Sequence, residues 1–337
     1  MKPTKGIHHV TAITSQAEKI YPFFTGLLGL RLVKKTINQD DIQAYHLFFA
    51  DDIGSPGTDM TFFDFPNIGK KVKGTNEISR TSFRVKSDEA LQYWHQRLTS
   101  FDVSTSEIFD FFGHQMLFFE DFDEQQYALI SDQNNKGLEA GIPYKESHIP
   151  EKYAITALGP IFITVDDLSQ MSLILKEVMH FERIDTNHQY HLFETNKGGN
   201  GARLVLEENK TLPRGQMGYG AVHHVAFRVD DEVEIENWTN HLRQFRAPNS
   251  GLVDRFYFKS LYTRLYKGIL FEFATDGPGF IDDEETYEAL GKKLALPPKF
   301  RNHRQEIESQ VRHFDTTKTT LELEKELVEV IKNEKKR

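Results

Sequence analysis

The chain has 337 residues, 39% of them hydrophobic, with 41 basic against 50 acidic side chains and no cysteine. That length buries one or two substantial cores, and a formal charge of −9 leaves room for an anion-binding surface only as a local patch against the overall field. Without cysteine there are no disulfides, thiolate ligands or cysteine nucleophile, so a bound metal has to be held by His, Asp or Glu.

In chain order, "GIHHVTAIT" (6–14) alternates as a strand and opens a unit that continues through strand-like "GLRLVKKT", "AYHLFFAD" and "DMTFFDF". "SRTSFRVKSDE" (79–89), with helical "ALQYWHQRL" behind it, opens a second unit. In "NNKGLEAGIPYKESHIPEK" (134–152) Gly, Pro and charge replace periodic apolar residues, the mark of a linker. "GPIFITVDD" (159–167), with helical "LSQMSLILKEVMH", opens a third unit, which runs on through "FERIDT", "YHLFET" and "ARLVLEE". "AVHHVAFRVDD" (221–231), with helical "VEIENWTNHL", opens a fourth that ends on "GILFEFATDGPGF" (268–280). Each unit reads strand, helix, three strands, beginning near residues 7, 78, 158 and 222. Four βαβββ modules predict an α+β protein in which chain-order pairs form two domains, 1–140 and 153–280. Residues 281–337 follow as a helical tail, in which "DDEETYEALGKKL", "PPKFRNHRQEIESQVRHF" and "TTLELEKELVEVIKNEKKR" read as helices and "KNEKKR" as a solvated helix end.

Aligned on their apolar alternation, the four opening strands place His9, Arg80, Pro160 and His224 at one position, so only the first and fourth units carry a metal-ligating side chain there. Alternation puts His9 on one face with Thr11 and Ile13, and His224 with Ala226 and Arg228. The neighbouring His8 and His223 fall on the opposite face unless the strand ends twist. Glu272 stands among Leu270, Phe271, Phe273 and Ala274, where an unpaired carboxylate would cost several kcal/mol. The matching position in the first unit is Thr61, so one carboxylate serves one site. Two imidazoles and a carboxylate are the ligand set of non-haem Fe(II) oxygenases, and Zn, Mn or Ni can use the same set.

"FFTGLLGLRLVKKT", "HHVAFRV" and "GILFEFATDGPGF" resemble the vicinal oxygen chelate superfamily of glyoxalases, extradiol dioxygenases and bleomycin-resistance proteins. Within it the chain is most similar to glyoxalase-like dioxygenases that open para-dihydroxybenzenes such as methylhydroquinone and chlorohydroquinone. The similarity extends through "DRFYFKSLYTR" (254–264) and "LPPKFRNHRQEIE" in the tail. The resemblance implies two vicinal-oxygen-chelate domains. It also implies that His9, His224 and Glu272 hold Fe(II), with Mn(II) as the alternative, and that His8, His223, Thr11, Arg255 and Tyr262 surround the metal and substrate. Thr263 and the turn "LYKG" (265–268) differ from the aromatic and "EPNG" implied there, which bears on substrate preference more than on metal binding. His46 and His191, at repeated "YHLF" positions, read as structural.

The expected function is ring cleavage of a hydroquinone by O₂, the partners being a small aromatic substrate and oxygen. His223, His8 or Tyr262 would move the proton. Arg255 would steady negative charge on oxygen, with Thr11 and Tyr262 also touching the substrate. Two other readings use the same scaffold. One is a glyoxalase-type isomerase or thiol transferase, which commonly uses four protein ligands where three are found here. The other is a metal-free protein that binds an aromatic compound. No run approaches a membrane span and "MKPTKGIHHVT" lacks the apolar core of a secretion signal, so the sequence predicts a cytoplasmic protein with no membrane or nucleic-acid partner. A free sheet edge or the tail would support a homo-oligomer.

Overall fold

The computed structural model describes residues 1–282 and 284–334, and all four units fold as strand, helix and three strands. The first contains β1 (Ile7–Ile13), α1 (Ala17–Tyr21, running into a wider π turn at Pro22–Leu27), β2 (Arg31–Ile37), β3 (Tyr45–Ala50) and β4 (Asp59–Asp64). The second contains β5 (Glu77–Val85), α2 (Asp88–Ser100), β6 (Phe109–Phe111), β7 (His114–Glu120) and β8 (Gln126–Ser131). In the third are β9 (Ile155–Val165), α3 (Leu168–Leu173), β10 (Glu182–Thr186), β11 (Tyr190–Glu194) and β12 (Arg203–Glu208). The fourth holds β13 (Val222–Val229), α4 (Glu232–Gln244), β14 (Val253–Asp254), β15 (Phe258–Tyr266) and β16 (Ile269–Pro278).

Local chemistry starts the helices. Ser87, Asp167 and Asp231 each accept a hydrogen bond from the backbone N–H three residues on, which caps α2, α3 and α4. Leu91, Trp94 and Leu98 on α2, and Ile235, Trp238 and Leu242 on α4, recur at helical spacing and are fully buried.

The strands form two curled eight-stranded sheets, ordered β14-β15-β16-β13-β1-β4-β3-β2 and β10-β11-β12-β9-β5-β8-β7-β6. Each chain-order half, 1–140 and 153–280, contributes one unit to each sheet. Unit one shares its sheet with unit four, and unit two with unit three, through the antiparallel seams β1–β13 and β5–β9. The linkers explain why: residues 69–76 and 213–219 bridge each other through Lys70↔Tyr219, Val72↔Gln216 and Thr75↔Arg214. That tie carries units two and three together and leaves one and four to meet. Repetition in a sequence identifies units but is blind to which edges pair.

One continuous apolar core, including Val10, Phe24, Phe83, Trp94, Phe227 and Trp238, joins the two sheets. The inner face of the second sheet is filled by its own cluster of Phe111, Met116, Ala128, Phe162, Leu192 and Val205. Among the described residues no helix is long and apolar enough to cross a membrane.

The tail departs from the expected helices in its first part. Among the described residues of "DDEETYEALGKKL" only Tyr287–Ala289 forms a helical turn, a short 3-10 one. The chain then runs extended along β2, where Leu294 bridges Lys35 and the Ala295 N–H donates to the Lys35 carbonyl at 2.9 Å. Covering an otherwise unpaired sheet edge outweighs helix propensity here. Gly291 makes the approach possible, since at φ +73° an added Cβ would lie 1.9 Å from the Leu32 carbonyl oxygen. Helices follow as expected at α5 (Arg304–Gln310) and α6 (Thr320–Glu334), while the last residues of "KNEKKR", 335–337, lie outside the described residues.

Asp59, beside His9 in the β1–β4 ladder, is buried, and its Oδ1 has no hydrogen-bond partner among the described residues. Burial, and then the charge of Asp51, push its carboxyl well above the usual range. A carboxyl raised on folding favours the native state below its unfolded value of about 3.9, and that contribution is lost as pH rises through the folded value. Asp59→Asn is therefore expected to be more stable than the parent at pH 7 by about 1–3 kcal/mol. In thermal melts at stepped pH the gap should close by about pH 4; a gap that ignores pH would contradict this account.

Candidate metal centre

The seam between β1 and β13 lies at the middle of the first sheet, with β16 next to β13. His9 stands opposite Ala226, which in turn pairs with Glu272, so three strands place these residues in one row. His224 lies two residues further along β13. Ala226, the small residue between, leaves the space into which the longer side chains converge. His9 Nε2 and His224 Nε2 are 3.2 Å apart, and Glu272 Oε2 is 3.2 Å from the first and 3.0 Å from the second. All three residues are at most 4% exposed.

The Glu272 carboxylate is held on one side only. Oε1 accepts from Ser260 Oγ at 2.5 Å, while the fully buried Oε2 accepts no aligned hydrogen bond among the described residues. Burial by itself would raise this carboxyl, but His9 and His224 hold it well below the usual range. An orphaned carboxylate oxygen facing two imidazole nitrogens is costly without a cation and is the donor set of a divalent metal, so these residues fit one.

The two histidine pairs reach the same side of the sheet because each pair sits at a β-bulge. From Ile7↔Phe227 to His9↔Ala226, β1 advances two residues while β13 advances one, which makes His8 the extra residue. From Thr11↔His224 to Ala12↔Val222 the roles reverse and His223 is the extra residue. Bulges re-aim side chains that strict alternation would separate. His8 Nδ1 then lies 2.9 Å from His9 Nδ1, and His223 Nδ1 lies 2.7 Å from His224 Nδ1.

These contacts fix proton positions. His8 Nε2 is 3.0 Å from the Thr275 carbonyl oxygen, which can only accept, so this nitrogen carries a proton. Burial, and then the neighbouring His9, push His8 down to about 3, so it is neutral and its Nδ1 is an acceptor. His9 therefore donates from Nδ1 and turns the lone pair of Nε2 toward Glu272 and His224, the tautomer a metal requires.

A cavity of ≈ 350 Å³ opens over His9 and His224. Its walls include the rings of Phe48, Phe63, Tyr257 and Phe258, and the polar ends of Arg255 and Tyr262. Asp40 holds the Arg255 guanidinium through contacts of 2.9 and 3.1 Å, and Arg255 Nε donates to the Tyr262 hydroxyl at 3.0 Å. Burial and the Glu272 charge push the Tyr262 hydroxyl up against the pull of Arg255, so it stays protonated. His223 lines the cavity as well, and burial, followed by His224 and Arg264, pushes it down to about 3.

Two residues expected near the substrate do not reach the cavity. His8 is enclosed by His9 and Thr275, and the fully buried Thr11 shares a 2.7 Å hydrogen bond with Thr61. His46, expected to be structural, is part of the wall, with Nε2 2.9 Å from Thr61 Oγ1. Burial, then His9 and His224, hold its imidazole well below the usual value. The alternation of "YHLFF" was its signal, because Tyr45, Leu47 and Phe49 enter the core and His46 and Phe48 must face the other way. His191 occupies β11 of the second sheet, 3.2 Å from Thr186 Oγ1 and away from the ligands. Asp40 and Ser260, which position Arg255 and Glu272, carried no sequence signal.

The Glyoxalase/Bleomycin resistance protein/Dioxygenase superfamily matches residues 6–129 and 157–278. The chain belongs to this superfamily. MhqA of Bacillus subtilis strain 168, named as a ring-cleaving dioxygenase, is 42% identical over 91% of this chain and 98% of its own length. The chlorohydroquinone/hydroquinone 1,2-dioxygenase of Sphingobium indicum is 29% identical over 90% of this chain and 94% of its own. A crystal structure titled as a dioxygenase from Bacillus subtilis superposes with a TM-score of 0.84 at 32% identity, covering 94% of this chain and all of that one. Glyoxalase I from Zea mays shares the fold alone, with a TM-score of 0.58 at 13% identity over 80% of this chain and 92% of that one. Matches of this extent to ring-cleaving dioxygenases make this superfamily member an enzyme of that type.

His8→Ala is expected to lower Mn(II) affinity by about 10–100-fold through loss of the His9 anchor, and Glu272→Ala to abolish stoichiometric binding. An electron paramagnetic resonance titration of free Mn(II) reads both. Unchanged affinity in His8→Ala would show that His9 needs no anchoring.

Proposed function

We propose that the chain is a metal-dependent dioxygenase that opens a para-dihydroxybenzene ring with O₂. On this reading Fe(II) is held by His9, His224 and Glu272, and Mn(II) can use the same ligands. The observation that carries the reading is the buried two-imidazole, one-carboxylate triangle, with its orphaned Oε2, whose two imidazoles line an aromatic-walled cavity. Three ligands of this kind leave coordination positions open, and Fe(II) bound there would supply electron exchange between the ring and O₂. The reaction balances without an outside reductant: both oxygen atoms enter the product, one ring C–C bond breaks, and the open chain ends in a carboxylic acid and a carbonyl.

The residues of the chain divide the remaining work. Phe48, Phe63 and Phe258 give the ring an apolar slot and exclude water. Arg255, clamped by Asp40, presents a fixed positive charge to oxygen atoms that become negative. Tyr262 is a hydroxyl donor, since its proton is retained. With His224 Nε2 given to the metal, its Nδ1–H donates to His223 Nδ1, and a neutral His223 offers Nε2–H to the cavity. His223 thus acts as a hydrogen-bond donor on substrate oxygen. Both ring nitrogens of His8 are engaged, so we assign it to positioning rather than proton transfer. Thr11, which does not reach the cavity, supports Thr61 and through it His46.

Oxygen uptake on adding methylhydroquinone to protein loaded anaerobically with Fe(II) tests the reading. One O₂ per ring opened, above autoxidation, and loss in Glu272→Ala are the expected results; no uptake despite stoichiometric metal would overturn it. Arg255→Met is expected to cost about 10²–10³ in kcat with metal content unchanged, and the ratio of uptake rate to bound iron measures this directly.

A further inference from the structure

A second cavity, ≈ 440 Å³, lies where the two bridged linkers meet the β15–β16 hairpin, and it shares His223 and Leu270 with the wall of the first. Its walls carry four cations, Lys71, Arg214, Arg264 and Lys267, and one carboxylate, Glu77. Lys267 is neutralised by Asp166 at 2.5 Å. Among the described residues no carboxylate lies within ion-pair distance of Lys71, Arg214 or Arg264. The two arginines are steadied by backbone instead: Arg214 donates to the Lys267 carbonyl at 2.9 Å, and Arg264 to that of Gly268. Two glycines border the hollow. A Cβ at Gly268 would lie 2.7 Å from Arg214 Nη2, and one at Gly215 would lie 2.6 Å from Glu77 Oε2. Lys71, Arg214 and Arg264 outnumber the one carboxylate, Glu77, whose charge acts on Lys71, so in a chain of net charge −9 the hollow keeps a local positive field that attracts anions.

We propose that this second cavity is a carboxylate site that serves the metal centre across His223. The proposal rests on the ring-opening reading, because that reaction turns a neutral diphenol into a carboxylate beside the His223 wall. A newly formed anion is drawn toward the three cations and away from Glu272, and the site thereby favours departure of the product. A para-dihydroxybenzene that already carries a carboxylate would use the same cations as a substrate.

Binding of cis,cis-muconate, a stable six-carbon open-chain acid, to the full chain tests the proposal by calorimetry without turnover. We expect binding that weakens as salt rises, persists in Glu272→Ala, and falls at least tenfold in Lys71→Gln/Arg264→Gln and measurably in Arg214→Gln; the dimethyl ester should not bind. Oxygen uptake distinguishes the two sources of the carboxylate. A product site predicts weaker muconate inhibition in the double variant with an unchanged KM for methylhydroquinone. A substrate site predicts a raised KM for 2,5-dihydroxybenzoate alone. Muconate binding that is lost in Glu272→Ala, or unchanged in the double variant, would overturn the proposal. Muconate binding through the cations with no oxygen uptake would instead remove the ring-opening reading and leave the anion site standing.

Discussion

Two bulges interrupt the β1–β13 ladder, one in each strand, and the chemistry of the molecule follows from them. In an uninterrupted antiparallel ladder each histidine pair would send one ring to the cavity and the other into the apolar core, where an imidazole without a partner is expensive. The extra residue in each strand swings His8 beside His9, and His223 beside His224, so that one dipeptide supplies both a ligand and the group that sets its tautomer. The anchor of the first pair is the Thr275 carbonyl on β16, the strand that also carries Glu272. Ligands, orienting groups and backbone are therefore tied across three adjacent strands, and the ligand geometry is as rigid as the sheet.

The second sheet shows what the same scaffold becomes without this arrangement. Its register places Arg80 where the first sheet has His9, and Val205 opposite Phe162 where the first has Glu272 opposite Ala226. The Arg80 guanidinium lies 3.6 Å from the centre of the Phe118 ring, and the inner face is filled with aromatic and aliphatic side chains. One half of the molecule spends its concave face on packing and the other on a polar hollow whose buried groups are satisfied only with a cation present. Metal binding and native stability are consequently linked, since an ion that binds only the folded chain adds to its stability.

Much of this was legible in the sequence for identifiable reasons. The four units announce themselves through repeated strand and helix patterns, and the ligands through residue types that an apolar strand does not otherwise tolerate. That units one and four meet was implied by His9 and His224 serving one site, but the tie that brings them together was not legible, because the bridging of residues 69–76 with 213–219 is a contact between two irregular segments. Alternation misplaced His8 and His223 because a bulge has no composition signature of its own. Alternation alone places His46 on the cavity face, while its repeat partner His191 lies in the filled sheet, and nothing in the shared "YHLF" letters separates the two settings. Asp40 and Ser260 act through contacts 215 and 12 residues distant in sequence, which no local pattern encodes.

The tail, which has no counterpart among the repeats, supports the cavity wall from behind. Lys34 on β2 is fully buried on the inner side of the first sheet, where an unpaired ammonium would cost several kcal/mol. Glu285 at 2.6 Å and Asp282 at 3.4 Å, both from the tail, provide its countercharges. Beside them Phe280 packs its ring 5.0 Å from that of Phe48 and 5.5 Å from that of Tyr257, two residues of the cavity wall, and Lys34 itself lies over Tyr257 at 5.1 Å. Without the tail the lysine that lies over Tyr257 would be stranded without a countercharge. The β1–β13 seam thus sets where the metal ligands converge, while a buried lysine and the acidic segment that neutralises it set the shape of the space above them. Changes in the tail should therefore alter which rings fit without disturbing the three ligands beneath.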